Sequence, residues 1–99
     1  MNVSFLGLMR KANALLPGQD RVLEGAKSGQ AKLILLPSDA PARAERSAVN
    51  MENTYGIRLL RLPWTSGEVA RAIGVGRCNL LAVTDHSFSM ALIKAMDRE

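Results

Sequence analysis

The sequence predicts an α/β protein, a three-layer α/β/α sandwich around a four-stranded mixed sheet. Two observations carry this. The aliphatic runs "LILLP", "IRLLRLP" and "LLAVT" read as short strands, with "LILLP" and "LLAVT" apolar on both faces and so covered on both sides. Between them lie segments with apolar residues at helical spacing, each with a cap residue or a glycine stop. Strands separated by helices fold into a largely parallel or mixed sheet with helices on both faces.

Each element follows in order. Phe5, Leu8, Met9 and Ala12 share one helical face, with Arg10 and Lys11 off it. Asn13 tolerates the left-handed conformation that ends a helix. Leu15 and Leu16 make a short extended piece, stopped by Pro17 and Gly18. A second helix runs from about Gln19 to Ser28, with Val22, Leu23 and Ala26 inward, Arg21, Glu24 and Lys27 outward, and Gly29 as its stop. Gly25 inside that helix costs roughly 1 kcal/mol relative to alanine unless close packing uses the missing side chain.

"AKLILLP" is a buried strand, after which Ser38 or Asp39 caps a third helix with Pro41 in its first turn. Ala44, Ala48, Met51 and Tyr55 line that helix's inner face, and Gly56 closes it. "IRLLRLP" carries Arg58 and Arg61, which suits a strand near the sheet edge. Thr65 and Glu68 have capping-box spacing ahead of Val69, Ala70 and Ile73. Gly74 and Gly76 bracket a loop, "LLAVT" is a buried strand, and Asp85 or Ser87 caps a last helix. Phe88, Ala91, Leu92 and Ala95 share that helix's face.

Ninety-nine residues, 47% hydrophobic and 22% charged, suit one folded domain and exclude disorder as the main state. No apolar run approaches the roughly 20 residues of a membrane span, and the N-terminus is a poor signal peptide. The one cysteine, Cys78, cannot pair within the chain, which suits a reducing compartment, so a cytoplasmic location is expected. The net charge of +4 favours a nucleic-acid partner, although a mildly basic solvated surface accounts for it equally well. Aromatic residues at 4% argue against base stacking on a sheet of exposed rings.

Catalytic and cofactor chemistry finds few residues to work with. Asp85, His86 and Ser87 are consecutive, so their side chains diverge, and a helix cap is the better account than a triad. One histidine and one cysteine are too few for a zinc site. "GVG" at Gly74 precedes a strand rather than following one, unlike a dinucleotide fingerprint. No catalytic residue, metal or cofactor is expected. Trp64 is better placed as a half-buried residue than as a base stacker. The start of the second helix remains. Its free N–H groups and positive dipole end can hold a phosphate, and Gly18 permits close backbone approach. Arg21 adds donors there, with Lys27 and Lys32 as nearby charge. Asp20 and Glu24 oppose an anion, and an ordinary helix start with solvated charges stands beside the phosphate site as an alternative.

The chain resembles the L-seven-Ae superfamily of ribosomal proteins, which bind kink-turn RNA, and is most similar to its small bacterial branch labelled YlxQ-like. The segments that carry the resemblance are "LGLMRKANALLPG", "GAKSGQAKLILLPSDA", "YGIRLLRLP", "EVARAIG" and "LLAVTDHSF", in order over nearly the whole chain. The resemblance implies an α/β/α sandwich. It implies an RNA contact made by an Asn-Glu pair and a later lysine after the glycine that opens the second helix. Asp20, Arg21 and Glu24 stand at those three positions, and all depart from the pattern. A second, apolar contact loop corresponds to Val75, Gly76, Arg77 and Cys78.

The expected protein binds structured RNA, kink-turn-like or ribosomal, without catalysis and without a membrane. Gly18, Gln19, Asp20, Arg21, Glu24, Lys27, Lys32, Val75, Gly76 and Arg77 form the expected contact surface. Ribosome-associated proteins are further expected partners. A protein-interaction module of the same fold that has lost kink-turn recognition is the alternative.

Overall fold

A computed structural model describes residues 2–98. Nine elements follow one another: α1 (Ser4–Lys11), β1 (Leu15–Pro17), α2 (Gln19–Ser28), β2 (Leu33–Leu36), α3 (Ala42–Tyr55), β3 (Leu59–Arg61), α4 (Ser66–Ile73), β4 (Leu81–Val83) and α5 (His86–Asp97). The four strands form one sheet in the order β1-β4-β2-β3. β4 pairs antiparallel with both β1 and β2, and only β2 and β3 are parallel. The sheet is therefore mixed rather than largely parallel. The single parallel pair is the one joined through the long helix α3, as a crossover requires.

Two cores lie on the two sheet faces. Leu33 and Leu35 of β2 point into the layer formed by α1, α4 and α5, with Leu6, Met9, Val69, Ile73 and Leu92. Ile34 and Leu36 point the other way, onto Val22 and Ala26 of α2 and Ala44, Ala48 and Met51 of α3. The period of two along a strand thus divides "LILL" between two helical layers, which is why the whole run is aliphatic. The outer strands are the polar or broken ones. β3 ends on exposed Arg61, bonded to Glu45 of α3, and β1 ends on Pro17, which has no N–H to offer a central ladder.

Most helix limits match their sequence signals. α2 spans Gln19–Ser28 and stops at left-handed Gly29, α4 carries the Thr65–Glu68 capping box, and Asp85 caps α5 by accepting the Phe88 N–H. Asn13 is left-handed after α1. A β-carbon on Gly25 would lie 2.4 Å from Leu16 Cδ1, so an added methyl there would force the Leu16 side chain to move.

Four expectations are corrected. α1 buries Leu6 and Met9, whereas Leu8 is 58% exposed and Ala12 is exposed. The cause is Gly7, whose missing β-carbon would stand 2.8 Å from the Ala72 carbonyl oxygen, so α4 packs against that side of α1. Neither Ser38 nor Asp39 caps α3, whose N-cap is Pro41. Asp39 reaches instead to the start of α4, where its carboxylate accepts the Ser66 N–H and hydroxyl. Tyr55 and Ala91 face outward rather than inward.

Candidate nucleic-acid interface

The turn between β1 and α2 and the loop before β4 meet at one end of the sheet. Antiparallel pairing places Pro17 opposite Leu81, and the next residue, Gly18, donates its N–H to the Leu80 carbonyl at 2.8 Å. Gly18 has φ 100° and ψ 148°, a backbone conformation open in practice to glycine alone. Its carbonyl accepts the Val22 N–H, so both of its backbone groups are held. No side chain caps α2. The next three N–H groups, of Gln19, Asp20 and Arg21, therefore open outward at the positive end of the helix.

Cys78 fastens the loop from beneath. Its thiol is buried and lies 3.5 Å from the Leu80 carbonyl oxygen. Burial pushes the thiol pKa up; the backbone of Leu80 and Gly18 and the charge of Arg10 pull the other way but do not overcome it. The thiol is thus a neutral packing group between the loop and the Gly18 turn. Val75 is half-buried against the α1/α4/α5 core, and its N–H is donated to the Ala70 carbonyl. Gly76 and Arg77 are exposed.

The expected residues are not all brought together. Gly18 and the Val75–Cys78 loop share one end. Gln19 turns aside to α3, its amide donating to Ser47 Oγ at 2.9 Å. Arg21 and Glu24 both line one shallow depression over Leu16 at the β1 edge. Lys27 sits in the last turn of α2, about 13 Å along the helix axis from Gly18. Lys32 lies at the opposite end of β4: its N–H bonds Val83, three residues beyond Leu80 and so roughly 10 Å away along the strand. Its ammonium folds back onto the Gly29 carbonyl. Neither lysine adds charge near Gly18, contrary to expectation.

Other cations stand beyond the loop, on the side of α1 and α4. Arg10 lies close enough to Cys78 for its charge to act on the thiol. Arg10, Lys11 and Arg71 border a cleft between α1 and α4 that ends at Gly74, one residue before the loop. No local motif marks them; their proximity to the loop comes from the α1–α4 packing at Gly7. Among the described residues no cluster of His, Cys, Asp or Glu could hold a metal ion, and no helix is long and apolar enough to cross a membrane.

No protein-family profile matches the chain. It is 29% identical over 92 residues to the RNA-binding protein YlxQ of Bacillus subtilis (strain 168), over 93% of this chain and 91% of that protein. A solved structure of a protein with unknown function from Bacillus halodurans C superposes with a TM-score of 0.87 at 29% identity, covering 96% of this chain and 95% of that one. The Giardia lamblia 15.5kD RNA binding protein superposes with a TM-score of 0.77 at 14% identity, over 97% of this chain and 82% of that one, a likeness of fold. Along nearly its whole length, this chain is therefore similar in sequence to a bacterial RNA-binding protein of its own size, and in fold to a eukaryotic one.

Proposed function

We propose that this protein is a non-catalytic RNA-binding protein of the L-seven-Ae type, and that it docks structured RNA, kink-turn-like or ribosomal, against the Gly18 turn and the Val75–Cys78 loop. The observation that carries the reading is the Gly18–Leu80 hydrogen bond, which locks an outward-facing helix start beside an arginine-bearing loop. Backbone N–H groups of Gln19, Asp20 and Arg21 would meet a phosphate, with Arg77 beside it as a second donor. The similarity to YlxQ along the chain supports the partner class.

Asp20, Arg21 and Glu24 leave little for reading purine edges. Asp20 lacks an amide donor, and Glu24 sets a negative charge in the first turns of the helix. Recognition therefore rests on the shape of a bent backbone more than on base identity. Filter-binding titration of a synthetic kink-turn duplex against the double variant Arg21→Glu/Arg77→Glu tests the surface. Affinity should fall by about two orders of magnitude near 0.1 M salt, and the salt slope should flatten by about two. An unchanged isotherm rejects the surface.

A further inference from the structure

We propose that the cleft between α1 and α4 is a second seat for RNA backbone, carrying a stem onward from the element held at Gly18 and Arg77; this rests on the RNA reading above. The cleft has a volume of about 860 Å³, room for a stretch of sugar–phosphate chain. Gly7 and Ala72 line it where the two helices approach most closely, and Arg10, Lys11 and Arg71 border it. Among the described residues, none of these three cations has a carboxylate within 4 Å, the one ion pair being Arg61 with Glu45. Glu68, the cleft's one carboxylate, is already committed to the Thr65 N–H in the α4 capping box.

The three cations stand in the last turns of α1 and α4, so part of their charge answers the helix dipoles. Each helix end carries about half a negative charge, roughly one in all. Glu68 removes one more, so about one positive charge is left over, in an open cleft whose lining reaches Gly74, the residue before the loop that bears Arg77. A polyanion leaving Arg77 meets these charges next. An acidic segment of another protein would satisfy the same charges without using the continuity with the loop.

Lys11 and Arg71 are exposed and lie outside the Gly18–loop surface, so they can be changed without disturbing it. The test compares two synthetic kink-turn duplexes, one ending close to the bend and one with a stem longer by about ten base pairs. At roughly 3 Å per pair, the extension matches the 30 Å length of the molecule. Wild-type protein should bind the longer duplex more tightly, with a salt slope steeper by about two. In Lys11→Gln/Arg71→Gln the increment should vanish while the short duplex binds as before, with thermal melts confirming the fold. If the variant keeps the increment, or wild type shows none, the cleft is not an RNA seat, while the Gly18–Arg77 reading stands as long as both duplexes still respond to Arg77→Glu. If wild type binds neither duplex, the RNA reading itself fails.

Discussion

Two neighbouring surfaces of the molecule offer a polyanion different things. From Gly18 to Glu24 the chain carries one cation, Arg21, against Asp20 and Glu24, a formal net of −1. Around the α1–α4 cleft and the following loop it carries Arg10, Lys11, Arg71 and Arg77 against Glu68, a net of +3. The first surface offers geometry: a glycine turn held to β4 and three N–H groups aimed outward. The second offers charge. A helix start flanked by carboxylates cannot attract a polyanion from a distance, whereas a basic cleft can steer one but fixes no orientation. The Gly18–Leu80 bond and the buried Cys78 thiol join the two.

Substitutions can tell the two surfaces apart. The largest effect is expected from separating the two arginines. Arg77→Glu alone should weaken binding to a kink-turn duplex by roughly tenfold or more, and Arg21→Glu by severalfold less, because Asp20 and Glu24 on either side of Arg21 already repel a phosphate there. Equal losses in a titration at fixed salt would mean that the α2 surface supplies charge after all.

Next comes the packing that creates the basic side. Gly7→Ala sets a β-carbon 2.8 Å from the Ala72 carbonyl and should cost about 1–3 kcal/mol of stability in denaturant titrations. A variant as stable as wild type would show that α1 and α4 are not in such close contact.

A smaller effect, of opposite sign, is expected at the α2 tip. Asp20→Asn with Glu24→Lys removes two repulsions and adds one donor, and should tighten binding by roughly threefold to tenfold with a salt slope steeper by about one. No gain would place the RNA away from the first turns of α2.

The smallest effect concerns the junction. Burial raises the Cys78 pKa above its ordinary 9.0. Above that pH the unfolded chain loses the thiol proton while the folded chain keeps it, so this contribution to stability is full below pH 9 and declines as pH rises further. Compared with wild type, Cys78→Ala should show a shallower loss of stability as pH rises above 9. Parallel curves would mean that the thiol titrates as freely in the folded protein as in the unfolded chain.

Much of the fold was legible because its signals are local. "LILL" needs two apolar faces, Thr65 and Glu68 answer each other across one turn, and Gly29, Gly56 and Gly74 stop helices where a left-handed residue is needed. Pairing was not legible. β1 and β4 are more than sixty residues apart, and uniform aliphatic strands do not name their partners or directions. The same distance hid Asp39, which caps α4 from 27 residues away rather than the helix beside it. At the proposed interface, Gly18 and Arg77 were readable from a turn-forming glycine and an exposed loop. Arg10, Lys11 and Arg71 were not, since only tertiary packing at Gly7 makes them neighbours of that loop. Lys27 and Lys32 lie apart from Gly18 because closeness in sequence to it runs along a helix and back to the far end of β4.

Ultraviolet crosslinking in cells, with crosslinked peptides mapped on the protein and the recovered RNA sequenced, tests the central claim most directly. The account predicts structured RNA joined to peptides containing Gln19–Glu24 and Val75–Asn79. Recovery of RNA no greater than background, or crosslinks confined to β3 at the opposite edge of the sheet, would contradict it.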